Sequence, residues 1–219
     1  MIEVFDIPKK YGKKQGLSDI SFQAQCGECV AIVGRNGCGK TTLMQILAGM
    51  IRPDGGTIRY FDKEPLKNKK LYRKLCGYVP QELPLLNELT VKDNLRLWGA
   101  DRGEAYEKIL DSFQLQDLMQ VPVEHLSGGM KRRLSIACAL ADWPPILLMD
   151  EPVTALDLYY KESIEQWITE YRQMNGIVIM TTHDEREIMN CDRCLLMKEG
   201  SLTEISKDTL SIELVKKMM

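Results

Sequence analysis

Eight residues constrain this chain more than any others. Gly34-Arg35-Asn36-Gly37-Cys38-Gly39-Lys40-Thr41 fits the pattern Gly-x-x-x-x-Gly-Lys-Ser/Thr, and it lies between a segment that reads as a buried strand, Glu28 to Val33, and a helical pattern, Thr41 to Ala48. Glycines at this spacing let backbone N–H groups turn inward around phosphate oxygens, and the helix that follows adds its partly positive N-terminus at the same place. Lys40 is then placed to contact the β- and γ-phosphates of a nucleoside triphosphate. The Thr41 hydroxyl is a natural ligand for Mg²⁺, which prefers oxygen donors and keeps several waters. Arg35, Asn36, Cys38 and Thr42 belong to the same nucleotide-binding stretch. Cys38 also brings a thiol near Lys40 and a helix N-terminus, which leaves two readings open: an inert packed thiol, or one whose oxidation or bulky alkylation blocks the nucleotide.

The segments around this loop alternate strand and helix, the sequence form of an α/β domain. Glu28 to Val33, Gly77 to Val79, Ile146 to Met149 and Ile177 to Thr181 are short and apolar enough to be buried parallel strands. Ile2 to Phe5, Ser18 to Ala24 and Thr57 to Phe61 alternate instead, with the turn Pro53-Asp54-Gly55-Gly56 before the last, and suggest a small antiparallel layer. Between Pro84 and Trp143 the pattern turns helical, opening with Thr90-Val91-Lys92-Asp93, where Thr90 can cap and an acid follows three residues later. Further helices are expected over Gly103 to Phe113, Gly128 to Ala141, Leu158 to Tyr171 and Asp184 to Asn190. The organisation read from this is one domain over residues 1–219, with a nucleotide-binding core lobe at 1–84 and 142–219 and a helical lobe inserted at 85–141.

A triphosphate site that performs chemistry needs groups to hold Mg²⁺ and to activate water. Asp150 and Glu151 end the Ile146 to Met149 strand, at the edge where α/β sheets gather ligand groups. Asp150 suits the Mg²⁺ shell, and Glu151 is placed as the general base for the attacking water. His183 follows the Ile177 to Thr182 segment at the same edge and is read as a contact to the γ-phosphate or the attacking water. The other histidine, His125, reads as an ordinary polar loop residue.

Composition excludes several alternatives. Lys plus Arg number 29 against 31 for Asp plus Glu, a formal charge of −2, so no basic field invites nucleic acid and none is expected as a partner. No apolar run approaches the roughly 18 residues of a membrane-spanning helix, and the N-terminus carries no readable secretory signal. A cytoplasmic location is therefore expected. The seven cysteines are not spaced as a disulfide framework and should be reduced thiols. Two Cys-x-x-Cys pairs occur, Cys26/Cys29 and Cys191/Cys194, but they lie far apart in sequence without supporting histidines, so no zinc is expected.

A phosphate loop and an acidic strand end describe many nucleotide hydrolases. Leu126-Ser127-Gly128-Gly129-Met130 narrows them. Taken in order with Gln81, Asp150-Glu151, Thr154-Ala155-Leu156-Asp157 and His183, it resembles the nucleotide-binding domain of the ABC ATPases along essentially the whole chain. The resemblance implies a P-loop NTPase core with a mostly parallel central sheet, an N-terminal antiparallel β layer and an inserted α-helical subdomain. It implies ATP and Mg²⁺ as cofactors, ATP hydrolysis coupled to transmembrane transport, and a head-to-tail pair of subunits, identical or not. In such a pair Ser127, Gly128 and Gly129 of one subunit cover ATP on the other, a role their hydroxyl and bare N–H groups at a helix start suit chemically. Tyr11 matches the aromatic that stacks on adenine, Gln81 the glutamine that touches Mg²⁺ and water, and Asp157 the aspartate near the subunit interface. Separate membrane-spanning permease subunits are the implied partners, which places the chain peripherally on the cytoplasmic face of the cell membrane. Met130 replaces the commonest glutamine and Thr154 the usual serine. The run Leu126 to Leu134 is similar to the variant of exporter-type bacterial ATPases. The alternative is a soluble ABC ATPase acting mechanically on nucleic acid or the ribosome.

Overall fold

The computed structural model describes residues 1–82, 84–153, 156 and 158–206. Two sheets organise them. Strands β1 (Ile2–Tyr11), β2 (Lys14–Ala24) and β4 (Thr57–Tyr60) form an antiparallel sheet in the order β2-β1-β4. The larger sheet has six strands in the order β5-β6-β7-β3-β8-β9, built from β3 (Cys29–Val33), β5 (Cys76–Val79), β6 (Ile146–Asp150), β7 (Ile177–Thr181), β8 (Arg193–Lys198) and β9 (Ser201–Ile205). All its pairings are parallel except β8 with β9. The α/β class and the mostly parallel sheet are as expected, although the sheet extends beyond the four strands first marked as its core.

Strands β3, β6 and β7 are buried at every residue, which explains their continuous apolar runs. Such strands need cover on both faces. One face carries α1 (Lys40–Leu47) and the antiparallel layer, packed through Leu43, Met44, Ile46 and Leu47 against Ile32, Leu148 and Ile179. The other meets α5 (Gly128–Ala139) and α6 (Leu158–Gln173), where Leu134, Ile136 and Ile164 pack with Leu147, Met149 and Val178. Trp167 stacks on Tyr171 at 5.2 Å between ring centres, and the buried Tyr171 hydroxyl donates to the Pro144 carbonyl at 2.5 Å.

Helices α3 (Val91–Leu97), α4 (Glu104–Ser112) and α5 lie between β5 and β6 in the chain. Thr90 caps α3 as its sequence suggests: its Oγ1 accepts from Asp93 N at 3.1 Å and donates to the Asp93 carboxylate at 2.6 Å. Ser127 caps α5 through Met130 N at 3.3 Å. A helix absent from the sequence reading, α2 (Lys70–Leu75), precedes β5. Only Tyr72 and Leu75 of it are buried, too few for a visible 3.6-residue period. Helix α7 (Glu185–Asn190) begins one residue after its expected start, because Asp184 is its cap and accepts from Arg186 N and Glu187 N. No helix among the described residues is long and apolar enough to cross a membrane.

Candidate functional site

The phosphate loop leaves β3 and enters α1, and two of its glycines are required by close approaches. At Gly34, with φ +153°, a Cβ would stand 2.2 Å from the Met197 carbonyl oxygen of β8. At Gly39, with φ +116°, it would stand 2.8 Å from the Gly16 carbonyl. Either contact would push the loop off the sheet edge. Lys40 is only 6% exposed and its ammonium donates to the Gly34 carbonyl at 2.6 Å, a charge-assisted bond that draws the loop around it.

A cleft of about 380 Å³ opens over this loop, walled by Asn36, Gly37, Gly39, Lys40, Thr41, Thr42, Gln81, Glu151 and His183. Three residues from separate strand ends thus meet loop residues in one cavity. The Glu151 carboxylate is held from two sides: Oε2 accepts from Gln81 Nε2 at 3.1 Å, and Oε1 lies 3.2 Å from His183 Nε2. Burial depresses the pKa of His183, and the charge of Lys40 depresses it further, against the opposing pull of Glu151. The imidazole is therefore neutral at physiological pH and can donate one N–H.

Asp150 sits at the end of β6, 1% exposed, outside the cleft wall. Its Oδ1 accepts from Thr181 Oγ1, while Oδ2 has no hydrogen-bond partner among the described residues. A buried carboxylate oxygen without a partner is costly. Carboxylate oxygens, and the Thr41 hydroxyl and Gln81 amide oxygen on the cleft wall, are hard donors of the type Mg²⁺ takes.

Other residues of the sequence reading lie elsewhere. Tyr11 is 48% exposed at the end of β1, with its ring beside Gly16 and the Lys9 ammonium 5.8 Å from its centre. Gly34, Arg35 and Cys38 belong to the loop but not to the cleft wall. Cys38 is half-buried and packs against the core cluster beneath the loop, which accords with the packed-thiol reading. Ser127 and Gly128 are exposed at the start of α5, away from the cleft wall. There Ser127 Oγ lies 3.3 Å from the Tyr160 hydroxyl, and the Tyr160 ring covers Gly129 so closely that a Cβ would stand 2.3 Å from it. Thr154 and Asp157 fall outside the described residues. The two Cys-x-x-Cys pairs approach through one thiol each: Cys29 Sγ lies 3.1 Å from Cys191 Sγ, whereas Cys26 is exposed and Cys194 packs in a different cluster.

Two residues to which the sequence assigned no role at the site also shape it. Thr181 fixes Glu151 N through its carbonyl at 3.0 Å and its hydroxyl at 3.1 Å. Arg132, buried in α5, donates to the carbonyls of Pro80, Gln81 and Glu151. The length of the polar run in α5 was the available signal, but it does not say which residue turns inward.

Comparison with known proteins agrees with this geometry. The family model described as ABC transporter matches residues 17–154. The chain is 35% identical to the Nod factor export ATP-binding protein I of Sinorhizobium fredii, over 91% of this chain and 60% of that protein. It is also 35% identical to the sulfate/thiosulfate import ATP-binding protein CysA of Pseudomonas aeruginosa, over 93% of this chain and 66% of that protein. The chain thus spans about two thirds or less of the length of these relatives. Among solved structures, an ATP-binding subunit of an ABC transporter superposes with a TM-score of 0.88 at 26% identity, covering 99% of this chain and 98% of that one. A dimeric ATP-binding cassette in a post-hydrolysis state, bound to ADP and Pi, superposes with a TM-score of 0.84 at 28% identity, covering 94% and 99%. With the family model matched over more than half its length and the phosphate loop, Gln81, Glu151 and His183 gathered around one cleft, the chain belongs to the ABC transporter family, as one of its ATPase domains.

Proposed function

We propose that this chain is the ATP-hydrolysing engine of a membrane transporter, works as a dimer, and drives permease subunits encoded separately. The observation that carries the reading is the Glu151 carboxylate, gripped between the Gln81 amide and the His183 imidazole across the cleft from Lys40. A carboxylate so held is an oriented proton acceptor. It takes a proton from water as the water's oxygen attacks the γ-phosphorus, the bond to the β–γ bridging oxygen breaks, and ADP and inorganic phosphate result. The phosphate loop from Gly34 to Thr42 holds the triphosphate, Tyr11 stacks on adenine, and His183 donates toward the γ-phosphate or the attacking water. Thr41, Gln81 and Asp150 hold Mg²⁺, which when bound neutralises phosphate charge.

Ser127, Gly128 and Gly129 serve the partner's nucleotide. The support is the exposure of Ser127 and Gly128 at a helix start, outside their own cleft, with the buried Gly129 continuing the same turn beneath Tyr160. Asp157 is assigned to the interface between subunits. Residues 85–141 act as the helical lobe, and an apolar groove of about 480 Å³ beside Gln81, lined by Met50, Tyr78, Pro80, Leu97 and Trp98 among others, is where the permease rests. The chain then works on the cytoplasmic face of the membrane. Export is read from the run Leu126 to Leu134, while relatives named for export and for import match equally well.

Light scattering of Glu151→Gln with and without ATP, in the presence and absence of Mg²⁺, tests the reading. A shift from monomer to dimer only with ATP supports the shared site. A monomer under every condition removes the homodimer and turns attention to a different partner subunit. ATPase activity equal to wild type in this variant would remove the assignment of Glu151.

A further inference from the structure

Arg132 is a charged group placed where charges are rare: 4% exposed, in the core, with its hydrogen bonds spent on backbone. One guanidinium nitrogen donates to the Pro80 carbonyl at 2.9 Å, and another to the carbonyls of Gln81 at 3.3 Å and Glu151 at 3.1 Å. The carboxylates of Asp150 and Glu151 lie near enough to favour the cation, but burial outweighs them and holds the guanidinium's pKa below its ordinary value. Only the planar fork of arginine reaches several acceptors in fixed directions from one side chain.

The acceptors matter because of what they carry. Glu151 has φ +51°, the left-handed region, which a residue with a side chain occupies only when its surroundings impose it. Thr181 clamps its N–H, and Arg132 clamps its carbonyl. The same guanidinium holds the backbone of Gln81, whose side chain donates to the Glu151 carboxylate. Both ends of the Gln81–Glu151 contact are therefore anchored to one group, and that group belongs to α5, the helix that opens with Ser127 and Gly128.

We propose that Arg132 is a positioning residue for hydrolysis, which fixes Glu151 and Gln81 relative to each other and makes their geometry depend on where helix α5 sits. The inference rests on the reading of Glu151 as the general base. In a dimer whose α5 N-terminus faces the partner's nucleotide, it also gives a route by which seating one nucleotide adjusts the catalytic group of the other site.

The test is a cycle of four proteins, wild type, Arg132→Ala, Glu151→Gln and the double variant, with ATP affinity and single-turnover hydrolysis measured on each, and Arg132→Lys alongside. Arg132→Ala is expected to bind ATP within about threefold of wild type, because the phosphate loop is untouched, and to hydrolyse it about 100-fold more slowly, the effect of a misplaced reacting group. Arg132→Lys, which keeps the charge and most of the volume, recovers part of the rate and keeps the comparison available if the alanine protein does not fold. In the Glu151→Gln background, the loss of Arg132 should change the rate by less than about threefold, since residues that act through one another are not additive. The same fold loss in both backgrounds, a fall in affinity matching the fall in rate, or full activity of either Arg132 variant would overturn the inference. Equal rates for wild type and Glu151→Gln would overturn the reading of Glu151 and this inference with it, whereas a Glu151→Gln defect without an Arg132 effect would overturn the inference alone.

Discussion

Glu187 makes the stability of this protein depend on pH in a direction that can be worked out. Its side chain is buried in α7, with Oε2 accepting from Thr182 Oγ1 and Oε1 without a hydrogen-bond partner among the described residues. Burial pushes its pKa from 4.5 up to about 8, with Asp184 and Glu165 pushing the same way and the Thr182 hydrogen bond and Lys161 opposing. The unfolded chain releases this proton near pH 4.5 while the folded chain keeps it until about pH 8. The contribution to stability is thus complete below pH 4.5, erodes as pH rises, and is gone above about 8. Glu187→Gln keeps a carbonyl oxygen for Thr182 and never ionises, so whatever its new N–H₂ costs is the same at every pH. The gap in unfolding free energy between the glutamine variant and wild type should therefore widen, in favour of the variant, by roughly 2 to 3 kcal/mol between pH 6 and pH 9. In a chain of this size that is about 5–10 °C in the difference of melting temperatures. Taking the difference removes the other titrating groups, including His183, whose lowered pKa acts in the opposite direction below pH 6.5. Thermal or urea unfolding of both proteins, followed by circular dichroism at pH 6, 7, 8 and 9, measures it. A gap that stays flat across this range would refute the argument that Glu187 is folded in its protonated form.

Three further outcomes follow from the same geometry. Lys40→Ala should weaken ATP binding, because each charge-assisted contact is worth about 1.5–3 kcal/mol, roughly 10- to 100-fold in affinity; titration with a fluorescent nucleotide reads it. Gly34→Ala forces a Cβ to within 2.2 Å of the Met197 carbonyl at a positive φ, so ATP binding should be lost and stability should fall by about 1–3 kcal/mol or more, seen as a lower melting temperature. Tyr171→Phe removes a buried hydroxyl from the Pro144 carbonyl and should cost about 1–3 kcal/mol of stability, while ATP turnover of the folded protein, measured by phosphate release, stays near wild type.

The parts of this molecule that were legible in the sequence are those where a residue type answers a local demand. A phosphate loop needs glycine where a Cβ would strike Met197 or Gly16, a strand buried on both faces needs an unbroken apolar run such as Ile146–Met149, and a helix start needs an acceptor such as Thr90 or Ser127. These demands are met within a few residues, so they leave a pattern in the chain. Helix α2 was missed because its neighbourhood, Lys67 to Lys74, is mostly solvated and shows no apolar period. Arg132 and Glu187 were missed for a different reason. The groups that define Arg132 are backbone carbonyls 19 to 52 residues away in sequence, and a carbonyl has no residue type to read. Glu187 differs from the half-buried Glu185 of the same helix only in which side of a six-residue helix meets the core. A helix that short gives too few turns for its inward face to be assigned from periodicity. Motifs therefore name the groups that can meet a nucleotide, while the groups that hold them in place follow only from the packing of α5 and α7 against the strand ends.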